Sequence, residues 1–323
     1  MNKYIILSAV VAMALASCST ADESTTTSNP EKVAISLTSN VLGVNTRSAS
    51  TNLQATQIAA NNPVGIYIYD NGQTAKDAAG YGYENYLYTP DGNGALTLAT
   101  SPTQATPYYS TFGSVDIYGY APRLTDIITG FTTPQTFFVQ ADQTTEANYI
   151  ASDLIYGNTL DKSNAFSPRN ITFSHKLCKI NITLIADGTY GFQAADLSKA
   201  QVTLFSNIMD GTINLSTGEF IPRAASSNPS VINVFNVADN NNATSVSGSA
   251  IIIPQTIPKD YIFIGIGLSN EDQWSYYVPD AITFQAGYQY NYTITMKNFG
   301  ISVKSSITPW NTTNVSGDAF QYD

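Results

Sequence analysis

From Glu31 onward the apolar residues of this chain alternate with polar ones at a period of two, in short runs separated by Gly, Pro and Asn. That period marks a β-strand with distinct faces, whereas a helix needs a spacing of three and four. The cleanest case is Tyr288, Tyr290, Tyr292, Ile294 and Met296, which keep one parity. Ile66 and Ile68 alternate with Tyr67 and Tyr69 before Asp70-Asn71-Gly72 offers a turn. Val33, Ile35 and Leu37, then Val115 to Tyr120, Phe137 to Val139, Val202 to Phe205, Gly211 to Leu215, Ile251 to Ile253, Tyr261 to Leu268, and Ile301 with Val303 give further strands. Only Thr51 to Ala60 admits a helical or irregular reading, and Ala224 to Ser230 and Asp239 to Ser249 read as exposed loops. Many short strands with turn residues between them predict an all-β fold of β-sandwiches.

Ile171 to Leu184 carries one further signal. Phe173, His175 and Leu177 share one parity, and Cys178, Ile180, Ile182 and Leu184 share the other. A phase change inside a run indicates a bulge or a strand passing between two packing environments. The domain boundary is therefore expected here, giving residues 31–170 and 171–323, which suits a chain of 323 residues.

Charged residues make up only 12% of the chain, where about 25% is ordinary. Ser, Thr, Asn, Gln and Tyr must supply the polar surface, as in extracellular all-β proteins. With 43% hydrophobic residues the chain is not disordered. The net charge of −10 leaves no basic face for phosphates, so nucleic acid is not an expected partner. A single histidine, His175, argues against a zinc or multi-histidine centre and leaves one candidate base for nucleophilic chemistry. No spacing singles out a pair among the 24 acidic residues. Asp70-Asn71-Gly72 and Asp91-Gly92-Asn93-Gly94 resemble calcium loops, but their twelfth positions are Tyr81 and Pro102, so both read as turns. No catalytic residue, metal or cofactor is expected.

Residues 1–17 read as a targeting segment. Lys3 precedes the apolar run Tyr4 to Leu15, which is shorter than the ~20 residues a membrane span needs. Leu15-Ala16-Ser17-Cys18 resembles a bacterial lipobox, in which Cys18 would carry the lipid, with residues 18–30 as a Ser/Thr-rich tether containing Asp22 and Glu23. Ordinary secretion with cleavage near Ala16 is the alternative. Acylation of Cys18 would leave Cys178 without a disulfide partner. Cys178 then reads as a small buried hydrophobe. A thiol–imidazole pair with His175 is disfavoured, because residues three apart in a strand face opposite ways.

The chain has 21 tyrosines, and Tyr67, Tyr69, Tyr81, Tyr83, Tyr86 and Tyr88 fall close together. Half-burial on a water-facing sheet accounts for them, and a glycan or host-protein contact is the sharper alternative. Arg47, in Asn45-Thr46-Arg47-Ser48-Ala49, reads by composition as a solvated loop residue. It is also where a trypsin-like protease would cut an exposed loop.

Taken in order, the lipobox, the tether, the arginine site and six further stretches resemble the fimbrillin family of lipoprotein-processed pilins, which build type V pili. The stretches are Val64 to Tyr69, Ser152 to Gly157, Phe173 to Ile180, Ile252 to Thr256, Gly287 to Tyr290, and Ile307-Thr308-Pro309-Trp310-Asn311. Cys178 departs from the small apolar residue usual there. The resemblance implies two tandem transthyretin-like β-sandwich domains and export to the outer membrane through a lipid anchor on Cys18. It implies cleavage between Arg47 and Ser48 by an arginine-specific or trypsin-like protease. The strand then lost is Val33, Ile35 and Leu37, with an extension toward Val44. Another pilin subunit would refill the slot with its C-terminal strand, for which Val315, Phe320 and Tyr322 are the candidates here. The product would be a surface fimbrium for adhesion. The alternative is a lipoprotein that stays monomeric and binds glycan or host protein through its tyrosines.

Overall fold

Seven strands of the N-terminal half form a sheet whose two edges are joined by its first strand. These are β1 (Leu37–Val41), β2 (Val64–Asp70), β3 (Tyr83–Pro90), β4 (Ala95–Leu98), β5 (Val115–Ala121), β7 (Ile155–Lys162) and β8 (Arg169–His175), in the order β1-β4-β3-β2-β5-β7-β8 with β8 returning to β1. The computed structural model describes residues 32–311, apart from 44–53, 61, 111–112, 126–129, 164–167, 189–192, 194–196, 198–199, 225–229, 238–244, 269–272 and 298–299.

β6 (Gln135–Phe138) leaves this sheet to pair with β11 (Asp210–Asn214), which also pairs with β12 (Glu219–Pro222). The helix α1 (Glu146–Ser152) follows β6, capped by the Thr145 side chain, which accepts from Asn148 N–H. After β8 the chain changes sheet. β9 (Cys178–Ala186) is the centre of a five-stranded sheet ordered β14-β15-β9-β20-β21, with β14 (Phe235–Val237), β15 (Ser245–Ile252), β20 (Tyr288–Lys297) and β21 (Gly300–Pro309). Against it stand the four-stranded sheet β13-β10-β17-β18 and the pair β16-β19. Their strands are β10 (Gln201–Asn207), β13 (Ser230–Asn233), β16 (Gln255–Ile257), β17 (Ile262–Gly267), β18 (Gln273–Tyr277) and β19 (Ile282–Phe284). The phase change thus falls at Lys176-Leu177, between His175 in the first sheet and Cys178 in the second. The segment expected as a loop up to Ser249 is instead paired from Ser245 onward, where β15 lies against β9.

β2 and β5 are buried on both faces, which alternation alone did not indicate. Their Ile66, Ile68, Val115 and Ile117 fill the interior of the N-terminal sheet. Tyr67, Tyr69, Tyr118 and Tyr120 point the other way, into the core shared with the C-terminal sheets, and Phe131 packs 4.8–5.1 Å from the rings of Tyr67, Tyr69 and Tyr118. The expected half-exposed face is therefore a second core for Tyr67 and Tyr69, at 3% and 1% exposure. A tyrosine buried this way contributes a large apolar area while its hydroxyl seeks a local partner.

Candidate functional site: the first strand and its slot

The first strand is held on both edges. Leu37 to Val41 run parallel to Arg169–Phe173 of β8 in five register pairs, and Leu37 and Thr38 pair antiparallel with Leu96 and Ala95 of β4. Further backbone bonds extend this grip. Ser39 N–H donates to Gly94 O (2.7 Å), Leu42 N–H to Phe173 O (2.7 Å), and Val41 N–H to Thr56 O (2.9 Å). The sequence placed the strand at Val33, Ile35 and Leu37 with an extension toward Val44, of which Val33 to Ser36 is the first stretch. In the structure that stretch is the lead-in, with Ala34 bridging Tyr108, Ile35 N–H donating to Pro107 O, and Tyr109 N–H donating to Val33 O. Val33 is exposed, while Ile35, Leu37, Ser39 and Val41 are buried. Regular pairing begins at Leu37 and runs on to Val41, because both neighbouring strands face that segment.

The inward side chains Ile35, Leu37 and Val41 join Ile171, Phe173, Leu96 and Tyr109 in the interior of the sheet. Each large apolar side chain buried there contributes about 1.5–3 kcal/mol. Outward, Asn40 Oδ1 accepts from Asn170 Nδ2 (2.7 Å) and Thr172 Oγ1 (3.0 Å). Emptying the slot would therefore expose apolar surface and a row of unpaired backbone groups together.

Arg47 and Ser48 lie outside the described residues, as do Cys18, Val315, Phe320 and Tyr322. The described residues flanking 44–53 meet, since a Cβ on Gly43 would fall 1.8 Å from Ala55 O. The chain thus leaves β1 and returns at the same place.

A second constellation was missed by the sequence reading, although its residues belong to the stretches that carry the resemblance. His175 Nδ1 lies 2.9 Å from Asp153 Oδ1, with both side chains buried. Asp153 Oδ2 accepts from Gln54 Nε2 (3.1 Å), and Gln54 Oε1 accepts from Asn62 Nδ2 (2.5 Å). The His175 ring stacks on Trp310 with centroids 3.6 Å apart and planes 11° apart. Asn311 Oδ1 accepts from His175 N–H (2.7 Å), and Asn311 Nδ2 donates to His175 O (2.9 Å). Lys179, also buried, places its Nζ 5.9 Å from the Trp310 ring. Burial draws its ammonium down to about 8, with the Asp153 carboxylate pulling the other way. Cys178 takes no part, since its Sγ donates to Gln285 O (3.1 Å) and burial pushes the thiol up. Two buried atoms of this cluster, His175 Nε2 and Asn62 Oδ1, have no hydrogen-bond partner among the described residues. The signal in the sequence was that Asp153, His175 and Trp310 all fall in the stretches that carry the resemblance, and no local period reveals that they meet.

Asp91 Oδ1 accepts from Asn93 N–H (2.7 Å) and Ala95 N–H (2.9 Å), so it closes its own turn, and those bonds hold its carboxyl below the usual range. Tyr67, Tyr69 and Tyr88 are buried, whereas Tyr81, Tyr83 and Tyr86 form a half-buried edge-to-face row with centroids 5.6 and 5.3 Å apart.

Together these features define a nearly all-β protein of several sheets in which the first strand joins two sheet edges. Solved structures share the fold. A provisionally named cell adhesion protein from Bacteroides ovatus matches with a TM-score of 0.69 and 18% identity, over 88% of this chain and 99% of its own. A similarly named protein from Bacteroides uniformis matches with a TM-score of 0.63 and 22% identity, over 87% and 99%. A further Bacteroides uniformis relative, provisionally named fimbrium subunit Fim1C, is 25% identical over 98% of both chains. The model of the fimbrillin-like family matches residues 46–310, and the chain belongs to that family.

Proposed function

We propose that the protein is a pilin-like subunit of a cell-surface fimbrium with a structural and adhesive role rather than an enzymatic one. The precursor travels to the outer membrane as a lipoprotein anchored through Cys18. A trypsin-like or arginine-specific protease cuts between Arg47 and Ser48. The segment carrying β1 then gives way to a strand from another subunit, contributed by a tail such as the one bearing Val315, Phe320 and Tyr322.

The observation that carries this reading is the grip on β1, a short strand seated between β4 and β8 and followed by a stretch whose two ends meet. A cut in that stretch separates β1 from the rest of the chain while leaving the slot intact. An incoming strand supplies both backbone bonds and alternate side chains. Because the contact is head-to-tail it does not close on itself, so the product is a filament. Membership in the fimbrillin-like family and the name of the Bacteroides uniformis fimbrium subunit support the same reading.

Low-dose trypsin on the purified precursor is the test. A new N-terminus at Ser48 followed by ladders on unheated SDS gels is expected, and Arg47→Ala should abolish both. Clean cleavage that leaves only monomers would overturn the polymerisation claim.

A further inference from the structure

We propose that the contact between His175 and Trp310-Asn311 is a clasp that holds the root of the C-terminal tail while β1 is seated, and slackens when β1 is lost. The clasp rests on the role given above to β1, but it concerns how one chain links its own two ends.

Two routes connect β1 to the clasp. The first is β8. Of its seven residues, Arg169 to Phe173 register with β1, and only Ser174 and His175 register with β7. The Phe173 carbonyl accepts the last bond from the first strand's segment, Leu42 N–H at 2.7 Å. Two residues later both backbone groups of His175 are taken by the Asn311 side chain. Removing β1 strips β8 of the partner for five positions and leaves its strand pairing to Ser174 and His175, the second of which carries the clasp.

The second route is Gln54. Val41 N–H donates to Thr56 O, which ties the Gln54–Thr56 segment to β1. Gln54 is buried with φ at 59°, a left-handed conformation that a non-glycine residue keeps only when its surroundings hold it. Its side chain donates to the Asp153 carboxylate that also pairs with His175. Loss of β1 therefore frees a strained residue whose side chain steadies the imidazole.

On the other side, Trp310 N–H and Asn311 N–H both donate to Gly287 O, at 2.7 and 3.2 Å, and Trp310 is 2% exposed. Residues 312–323 continue from this point. The tail root is thus held from two sides, by the Gly287 carbonyl and by His175, and the supports of His175 run back to β1, so a chain that keeps its first strand also keeps this second hold. Such coupling needs only two discrete arrangements of β8, packed and edge-exposed.

The test uses the full-length uncut chain and no polymer. Amide hydrogen exchange at Trp310 and Asn311 is compared in Val41→Ala, the milder Val41→Thr, and Ile68→Val, a control in the same interior but off β1. Weakening β1 should speed exchange at Trp310 and Asn311 about tenfold relative to the control at matched overall stability. With Trp274→Phe as background, Trp310 emission should shift in the same variants. Unchanged exchange and emission in both Val41 variants would overturn the clasp, while cleavage and ladder formation, measured separately, would stand or fall on their own.

Discussion

Gly43 and Ala55 approach so closely that a methyl group on the first would lie 1.8 Å from the backbone oxygen of the second. Only glycine fits there, and the contact closes the base of the segment that follows β1. Gly43→Ala should destabilise the precursor by about 1–3 kcal/mol, read as a lowered denaturant midpoint. Because the obstructing atom is backbone, Ala55→Gly should not restore stability. Rescue by that second change would show that the clash is not the cause.

Asp153 is fully buried and serves two partners, His175 through Oδ1 and Gln54 through Oδ2. Asn at this position can accept from Gln54 but then presents an amide N–H to His175 Nδ1, which accepts it only in the tautomer that carries the ring proton on the unpartnered Nε2. Asp153→Asn should cost about 1–3 kcal/mol, the usual penalty for disturbing a buried hydrogen-bonded polar group. Lys179 would also lose its nearby anion. Equilibrium unfolding of Asp153→Asn, Lys179→Met and the double variant should therefore give a double-variant loss smaller than the sum of the two single losses.

Cys178 and Lys179 are neighbours in sequence with opposite pH linkage. Burial draws the Lys179 ammonium to about 8, so between pH 8 and the ordinary lysine range near 10.4 the unfolded chain holds more protons and stability rises with pH. Burial pushes the Cys178 thiol up, so above about pH 8.5 the folded chain holds the extra proton and stability falls. The two trends oppose each other in the wild type up to about pH 10. Beyond that the buried phenols of Tyr88, Tyr149 and Tyr292, all raised by burial, add to the fall. Unfolding measured from pH 7.5 to 10 should show a rise of about 2–3 kcal/mol in Cys178→Ala and a decline in Lys179→Met. Parallel curves for the two variants would contradict the assignment.

The Cys178 thiol is fully buried and donates to Gln285 O. The thiolate is the reactive form, and burial disfavours it. In the native protein at pH 8, Cys178 should resist a disulfide reagent and react at the global unfolding rate. Rapid labelling of this thiol in the folded state would refute that burial.

Much of the strand content follows from alternation. The runs at Ile66–Tyr69, Val115–Tyr120 and Tyr288–Met296 all lie in strands, and the phase change within Ile171–Leu184 marks where the chain leaves one sheet for another. Serines hid the start of β15 at Ser245, because polar residues on a strand carry no apolar period; the pairing with β9 supplies what the sequence did not signal there.

The sequence by itself determined which residues share a face of each strand, since successive side chains point to opposite sides of any extended chain. It did not decide which strand lies beside which, or whether a second face meets water. The parallel seat of β1 on β8, the burial of Tyr67 and Tyr69 on the far side of β2, and the meeting of Asp153, His175 and Trp310 were set only in the tertiary structure. Those contacts join residues far apart along the chain, and no local period encodes a partner that the fold must bring near.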